Sequence, residues 1–316
     1  MLFLGLVCEL YKDLIIFIEF RRVFKILQAI ICSMPENNNY FNEPGDNWRL
    51  VFSPPGPGNL NMAADEALME SAVENMSTPT LRLYSWEPAC LSLGYAQSFS
   101  EVDEVSLQNH GWTLVRRPTG GRAILHTDEI TYSITGRLDD PFFSGSILDS
   151  YRRLATGLVA ALSNLGVQAD MKELKEGPLQ KSSSEAVCFE VASNYEITYD
   201  GKKLIGSAQS RRRGGFLQHG SLPLFGRLDR INDAIRYNSE SEKQDAKIRL
   251  LEHATTLETV LGHSVPWPQA AAAFVDGFRT ALGIEFTETN LSEFELVKVD
   301  RLISEKYGNP DWNKRR

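Results

Sequence analysis

Apolar residues along this chain recur with helical spacing in some stretches and strand spacing in others, and the alternation between the two predicts the elements. From Asn59 to Met76 they fall at Met62, Leu68, Met69, Val73 and Met76, one face of a helix that Asn59 or Asn61 can cap. Leu81–Trp86 and Cys90–Tyr95 read as strands joined by a Glu87-Pro88 turn, and Trp112–Arg116 as a short strand. Ile130–Thr135 alternates Ile-Thr-Tyr-Ser-Ile-Thr, a β pattern. Asp149–Leu165 is amphipathic and stops at Gly166. Lys172–Glu185 holds Gly, Pro and three consecutive serines, the composition of a mobile loop. Beyond it Tyr195–Tyr199 alternates, Asp200-Gly201 is a two-residue hairpin signal, and the return strand starts at Lys203. After Phe225 the spacing turns helical, over roughly 228–237, 246–262, 268–282 and 291–307. Strands interleaved with helices early and helices late predict an α/β (α+β) fold. A mixed-sheet domain would reach about residue 225, with a helical C-terminal part over about 226–316.

Residues 1–45 stand apart. The apolar runs Met1–Cys8, Leu14–Ile18 and Ile26–Met34 are interrupted by Glu9, Lys12, Asp13, Glu19, Arg21, Arg22 and Lys25, so none reaches the ~18 uncharged residues of a membrane span. The leading positive charge and small-residue end of a secretory signal are missing. Mixed charges give an amphipathic interfacial helix weak support; the other readings are an N-terminal extension of unknown role, or a start at Met34 with Pro35–Asp46 leading into the folded part. Either way the expected folded region is 46–316, without internal repeats.

Composition narrows the classes. A chain of 316 residues, 42% hydrophobic and 23% charged, is an ordinary soluble protein, and its net charge of -8 argues against a non-specific nucleic-acid binder. Four cysteines (Cys8, Cys32, Cys90, Cys188) lie far apart without a CxxC pair. That usage suits a reducing cytoplasm rather than a disulfide scaffold. No carboxylate is visibly paired with the three histidines other than His126 and His219, so no metal site is expected.

Three separated segments carry candidate chemistry. The first is Arg116-Arg117-Pro118-Thr119-Gly120-Gly121-Arg122, running on to His126. Its glycines can bring backbone amides to a ligand, and its arginines can hold a phosphate, carboxylate or carbonyl. The bland alternative is a tight turn whose arginines point into water. The second is Cys188 after the serine-rich stretch. A thiol reacts only once deprotonated, from a pKa of ~8.5, and Lys203 is a candidate to favour its thiolate. Otherwise Cys188 is a small apolar filler, the reading kept for Cys90. The third runs from Lys203-Leu204-Ile205-Gly206-Ser207-Ala208-Gln209 to Gln218-His219-Gly220-Ser221. His126 and His219 could each serve as a base for a cysteine nucleophile, or order a loop and line a pocket. Arg211-Arg212-Arg213 reads as a solvated strand end, or as part of a docking patch for an acidic carrier protein.

With these residues assembled, the chain resembles the biotin/lipoate ligase and transferase superfamily. Within it, it is most similar to octanoyl-[acyl-carrier-protein]:protein N-octanoyltransferases of the lipoate–protein ligase A-like type. The resemblance also takes in Trp48-Arg49, Val187-Cys188-Phe189-Glu190, Tyr195-Glu196, Lys306-Tyr307 and Asp311-Trp312-Asn313, and covers about residues 46–316. It implies the mixed-sheet fold of that superfamily and a cytoplasmic acyltransferase of lipoate biosynthesis. Octanoyl would move from acyl carrier protein, through a thioester on Cys188, to a lysine of a lipoyl domain such as the glycine-cleavage H protein. Lys203 would lower the pKa of Cys188. Arg117, Gly120, Gly121, Arg122 and His126, with Gly206, Ser207, Ala208, His219 and Gly220, would bind substrate, with Tyr84, Leu93 and Ile205 around an apolar tunnel. No metal, cofactor or ATP is expected. Rival readings are an ATP-dependent lipoate–protein ligase, an octanoyl-H-protein amidotransferase and a non-catalytic lipoyl-domain binder. The ligases tend to carry a third glycine where this chain has Arg122, and His-Asp where it has His126-Thr127.

Overall fold

A computed structural model describes residues 47–173 and 195–315. The N-terminal extension, the serine-rich loop from residue 174 onward and Cys188 with its neighbours lie outside the described residues. Eight strands form one mixed sheet: Asn47–Phe52 (β1), Thr80–Tyr84 (β2), Glu129–Arg137 (β6), Asp170–Glu173 (β7), Tyr195–Tyr199 (β8), Lys202–Arg212 (β9), Gly215–Pro223 (β10) and Glu285–Glu288 (β11). Their order is β11-β1-β2-β6-β10-β9-β8-β7; β1 runs parallel to both neighbours and the remaining pairs are antiparallel. A smaller sheet joins Cys90–Leu93 (β3) to Thr113–Arg116 (β4) and Ile124–His126 (β5).

Strand alternation gives the large sheet two covered faces. On β6, Tyr132 packs against Phe274 and Phe278, whereas the next residue, Ser133, points the opposite way and donates to Asp65. The first face carries helices Ile147–Asn164 (α3) and Trp267–Leu282 (α6), which cross closely because small residues meet there. A Cβ on Gly277 would lie 2.4 Å from the Ala161 nitrogen, and one on Gly157 would lie 2.4 Å from the Phe278 ring. The fully buried Phe274 and Phe278 side chains each contribute about 1.5–3 kcal/mol by burial. The second face carries helix Gly58–Val73 (α1), whose buried Ala63, Ala64 and Ala67 let it lie near the sheet. No helix among the described residues is long and apolar enough to cross a membrane.

The expected elements are present with informative shifts. Neither asparagine caps α1: Pro57 occupies that position, and the Asn61 amide donates to the carbonyls of Gly56 and Ser85. α3 starts earlier than its apolar pattern, at a Ser146/Asp149 capping box, and gives way to Gly166 at φ 87°. The 228–237 stretch is a 3₁₀ turn over Leu228–Asp233. The 246–262 stretch is two helices, Glu240–His253 (α4) and Leu257–Leu261 (α5), broken where Ala254 turns extended to bridge Lys203. The 291–307 stretch is helix Glu293–Leu302 (α7) running into a π turn over Ile303–Tyr307, and a short helix Pro310–Asn313 (α8) follows. Helix Glu104–Asn109 (α2) and strands β1, β5, β7, β10 and β11 were not anticipated; β11 places part of the helical region on the edge of the main sheet.

Candidate active site

The hairpin is where the site begins. Asp200 and Gly201 adopt left-handed backbone angles, φ 48° and 77°, and return the chain so that Lys203 lies opposite Thr198. Its side chain is 3% exposed, and its Nζ lies 2.9 Å from Glu196 Oε1. The next residues, Gly206 to Gln209, pair with Gln218 to Ser221. Gly220 is required in that pairing, since a Cβ there would stand 2.4 Å from the Gly206 carbonyl oxygen.

The glycine loop leaves β4 and is held by its own arginines. Buried Arg116 donates to the carbonyls of Gly94, Gln97, Trp312 and Arg315. Arg117 donates to the carbonyls of Ser92, Gly120 and Arg122. Neither points into water. Arg116 is a structural clamp, and Arg117 fixes the loop while lining the cavity. Arg122 stands 3.6 Å from Glu101. Gly121 takes φ 93°, and a Cβ on Gly94 would meet its carbonyl oxygen at 1.8 Å.

Both histidines have carboxylate partners. His219 Nδ1 lies 3.2 Å from Asp65 Oδ2, and its Nε2 lies 2.7 Å from Thr119 Oγ1 in the glycine loop. Asp65 also accepts from Arg82, Tyr84 and Ser133. Burial pushes the Asp65 carboxyl up, but the hydrogen bond with His219 and the Arg82 charge outweigh it and hold the group below its ordinary value. Burial depresses His219, partly offset by Asp65, and favours the neutral imidazole. An ionised Asp65 only accepts, so the proton sits on Nδ1 and Nε2 accepts from Thr119. His126 repeats the arrangement, with Glu129 Oε1 2.6 Å from Nδ1 and Ser92 Oγ 2.8 Å from Nε2. Its ring stacks on Trp86 at 3.9 Å. These contacts make both histidines positioning groups that fix the loop and the cavity wall. The Asp65–His219 pair joins residues far apart in sequence, which no local spacing announces, whereas His126 and Glu129 lie three residues apart.

Every substrate-binding candidate borders one cavity of about 340 Å³: Arg117, Gly120, Gly121, Arg122, His126, Gly206, Ser207, Ala208, His219 and Gly220, together with Lys203. Its apolar lining is Met62, Tyr84, Trp86 and Ile124. Of the three residues expected around a tunnel only Tyr84 is there; Leu93 and Ile205 are spent in separate hydrophobic cores. The volume falls in the range of small-molecule sites. Cys90 keeps the filler role, its thiol pushed up to about 12 by burial. Arg211 is no solvated strand end, since it donates to the carbonyls of Gly145, Phe143 and Ser146 and to the Ser150 hydroxyl. Among the described residues no cluster of three His, Cys, Asp or Glu side chains could hold a metal.

An apolar cavity with a buried lysine at one wall and a glycine loop at another fits a carboxylic acyl group, and the chain is similar to known proteins over most of its length. The model of the lipoyl protein ligase A/B catalytic domain matches residues 57–279. Octanoyltransferase LipM of Symbiobacterium thermophilum is 39% identical over 279 residues, 85% of this chain and 99% of that protein. The LipM of Moorella thermoacetica is 39% identical over 274 residues, 86% and 100% of the two chains. Among solved structures, an archaeal bipartite lipoate protein ligase from Thermoplasma acidophilum superposes with a TM-score of 0.70 at 24% identity, covering 85% of this chain and 96% of that one. Lipoate-protein ligase A bound with ATP does so with a TM-score of 0.70 at 24% identity, covering 85% and 98%. At that identity the two structures speak for the fold alone. The family match and the full-length relatives together show that this chain belongs to the lipoyl protein ligase A/B catalytic domain family.

Proposed function

We propose that the protein is an octanoyltransferase of lipoate biosynthesis that works in the cytoplasm through a covalent acyl-enzyme. The observation that carries this reading is the meeting, in one cavity, of Lys203 with the two glycine-containing walls. Full-length relatives named octanoyltransferase support it. In the first half-reaction the Cys188 thiolate attacks the octanoyl thioester of acyl carrier protein. A new carbon–sulfur bond forms, the old one breaks, and the carrier thiol leaves. Lys203 supplies the positive charge that favours the thiolate, and Glu196 keeps that lysine oriented. Backbone amides near Gly206 or in the Gly120-Gly121 loop stabilise the oxyanion. In the second half-reaction the amine of a lipoyl-domain lysine, with the glycine-cleavage H protein as the expected acceptor, attacks the acyl-cysteine. The amide forms and the Cys188 thiol is released with the amine's proton.

No ATP is consumed in this scheme. Arg122 borders the cavity where the ligases tend to carry a glycine, and its bulk opposes an adenylate there. The test is transfer of octanoyl to an unmodified lipoyl domain, followed by mass. Octanoyl-acyl carrier protein without ATP should label the acceptor, and free octanoate with ATP should not. The reverse pattern would make the protein a ligase.

A further inference from the structure

One strongly charged surface lies outside the site described above. Arg212 and Arg315 both pack on the ring of Tyr95, with guanidinium carbons 4.2 Å and 4.1 Å from its centroid. Arg315 also lies 3.8 Å from the Trp312 ring, which carries Lys306 Nζ at 4.3 Å. Lys306 is paired with Glu66. Arg212 and Arg315 have no carboxylate partner among the described residues, and Arg212 is exposed. Three cations thus share two aromatic rings with one carboxylate in a protein whose net charge is -8. Cation–ring contacts contribute about 0.5–1 kcal/mol each at exposed sites and leave the charges uncompensated. An anion arriving here would meet a ready field and pre-placed donors.

The cluster adjoins the cavity. The Tyr95 amide donates to the Thr119 carbonyl at 2.8 Å, beside the Gly120-Gly121 wall. Arg212 continues the strand whose residues Gly206 to Gln209 form the opposite wall, about 10 Å beyond Gln209 at the rise of a β-strand. The acyl acceptor brings a lysine ammonium, which these cations repel. The donor is anionic where it matters, because a thiol arm of the phosphopantetheine kind joins its protein through a phosphodiester.

We propose that Arg212, Arg315 and Lys306, gathered on Tyr95 and Trp312, dock the acidic protein that delivers the acyl thioester. This rests on the octanoyl-transfer reading, and the experiment separates the two. Initial rates of transfer are compared for octanoyl on acyl carrier protein and for octanoyl-pantetheine, which offers the same thioester without protein or phosphate. Arg212→Glu should lower kcat/KM about ten-fold for the protein-borne donor and leave it within about two-fold for octanoyl-pantetheine. Arg212→Lys, which keeps the charge, should retain most of the wild-type preference, and added salt should erode that preference. Equal losses with both donors would make Arg212 a structural residue. No loss with either, or a raised KM for the lipoyl domain alone, would remove the donor-docking role. Wild type silent with both donors would overturn the transferase reading, and the docking role with it.

Discussion

Asp65 and His219 show at the scale of single residues how the site is held. A buried carboxylate survives because four donors surround it, and one of them, His219, passes the constraint on to Thr119 and the glycine loop. This has a consequence in pH. The folded-state pKa of His219 lies below 6.5, so the unfolded chain takes up a proton first as the pH falls. Its contribution to stability is whole above 6.5 and is lost progressively below that value. Asp65, held below 3.8, contributes stability above that value that is lost only at still lower pH, as its folded pKa is passed. Thermal midpoints should therefore be level from about pH 8 to about pH 7 and fall toward about pH 5, with a shallower fall in His219→Asn. Equal slopes in the two proteins would show that the folded state does not hold His219 neutral. The candidate residues themselves were legible as a set, from the glycine, lysine and histidine segments. The roles of Asp65 and Trp86 were not, because each comes from a partner distant in sequence, whereas Glu129 sits three residues from His126 and Glu196 across the hairpin from Lys203.

At the scale of elements, strong local chemistry was readable and weak local chemistry was not. Asp200-Gly201 announced its hairpin because few other dipeptides enter left-handed angles so readily. The edge strand Glu285–Glu288 has too polar a sequence to signal a strand and owes its pairing to β1. Ala254 leaves the helical path because the chain there pairs with Lys203, with the Thr255 amide donating to the Lys203 carbonyl. The loop Thr119–Arg122 is fixed against Gly94, so a methyl at each position should act differently. Gly94→Ala meets the Gly121 carbonyl and should cost about 1–3 kcal/mol by forcing the loop away. Gly120→Ala meets no atom within 4 Å and should change stability by less than about 0.5 kcal/mol. Urea unfolding of both variants checks this, and similar midpoints would mean the Gly94 contact is relieved at no cost.

At the scale of the whole molecule, helices on both faces of one mixed sheet bring segments from α1 to β10 around a single cavity. The fold class was legible because the periodicity changes from strand to helix along the chain and the motif set was dense. The mutual placement of the walls was not, since it depends on a strand order in which sequence neighbours are often not spatial ones. The Cys188 thioester is the central claim, and Cys188 lies outside the described residues. Intact-protein mass after incubation with octanoyl-acyl carrier protein, without ATP or acceptor, tests it most directly, with wild type and Cys188→Ala side by side. One octanoyl adduct on the wild type, released by hydroxylamine and missing from the variant, is the predicted result. An adduct of equal size on both proteins, or none on a wild type that still transfers octanoyl to a lipoyl domain, would contradict it.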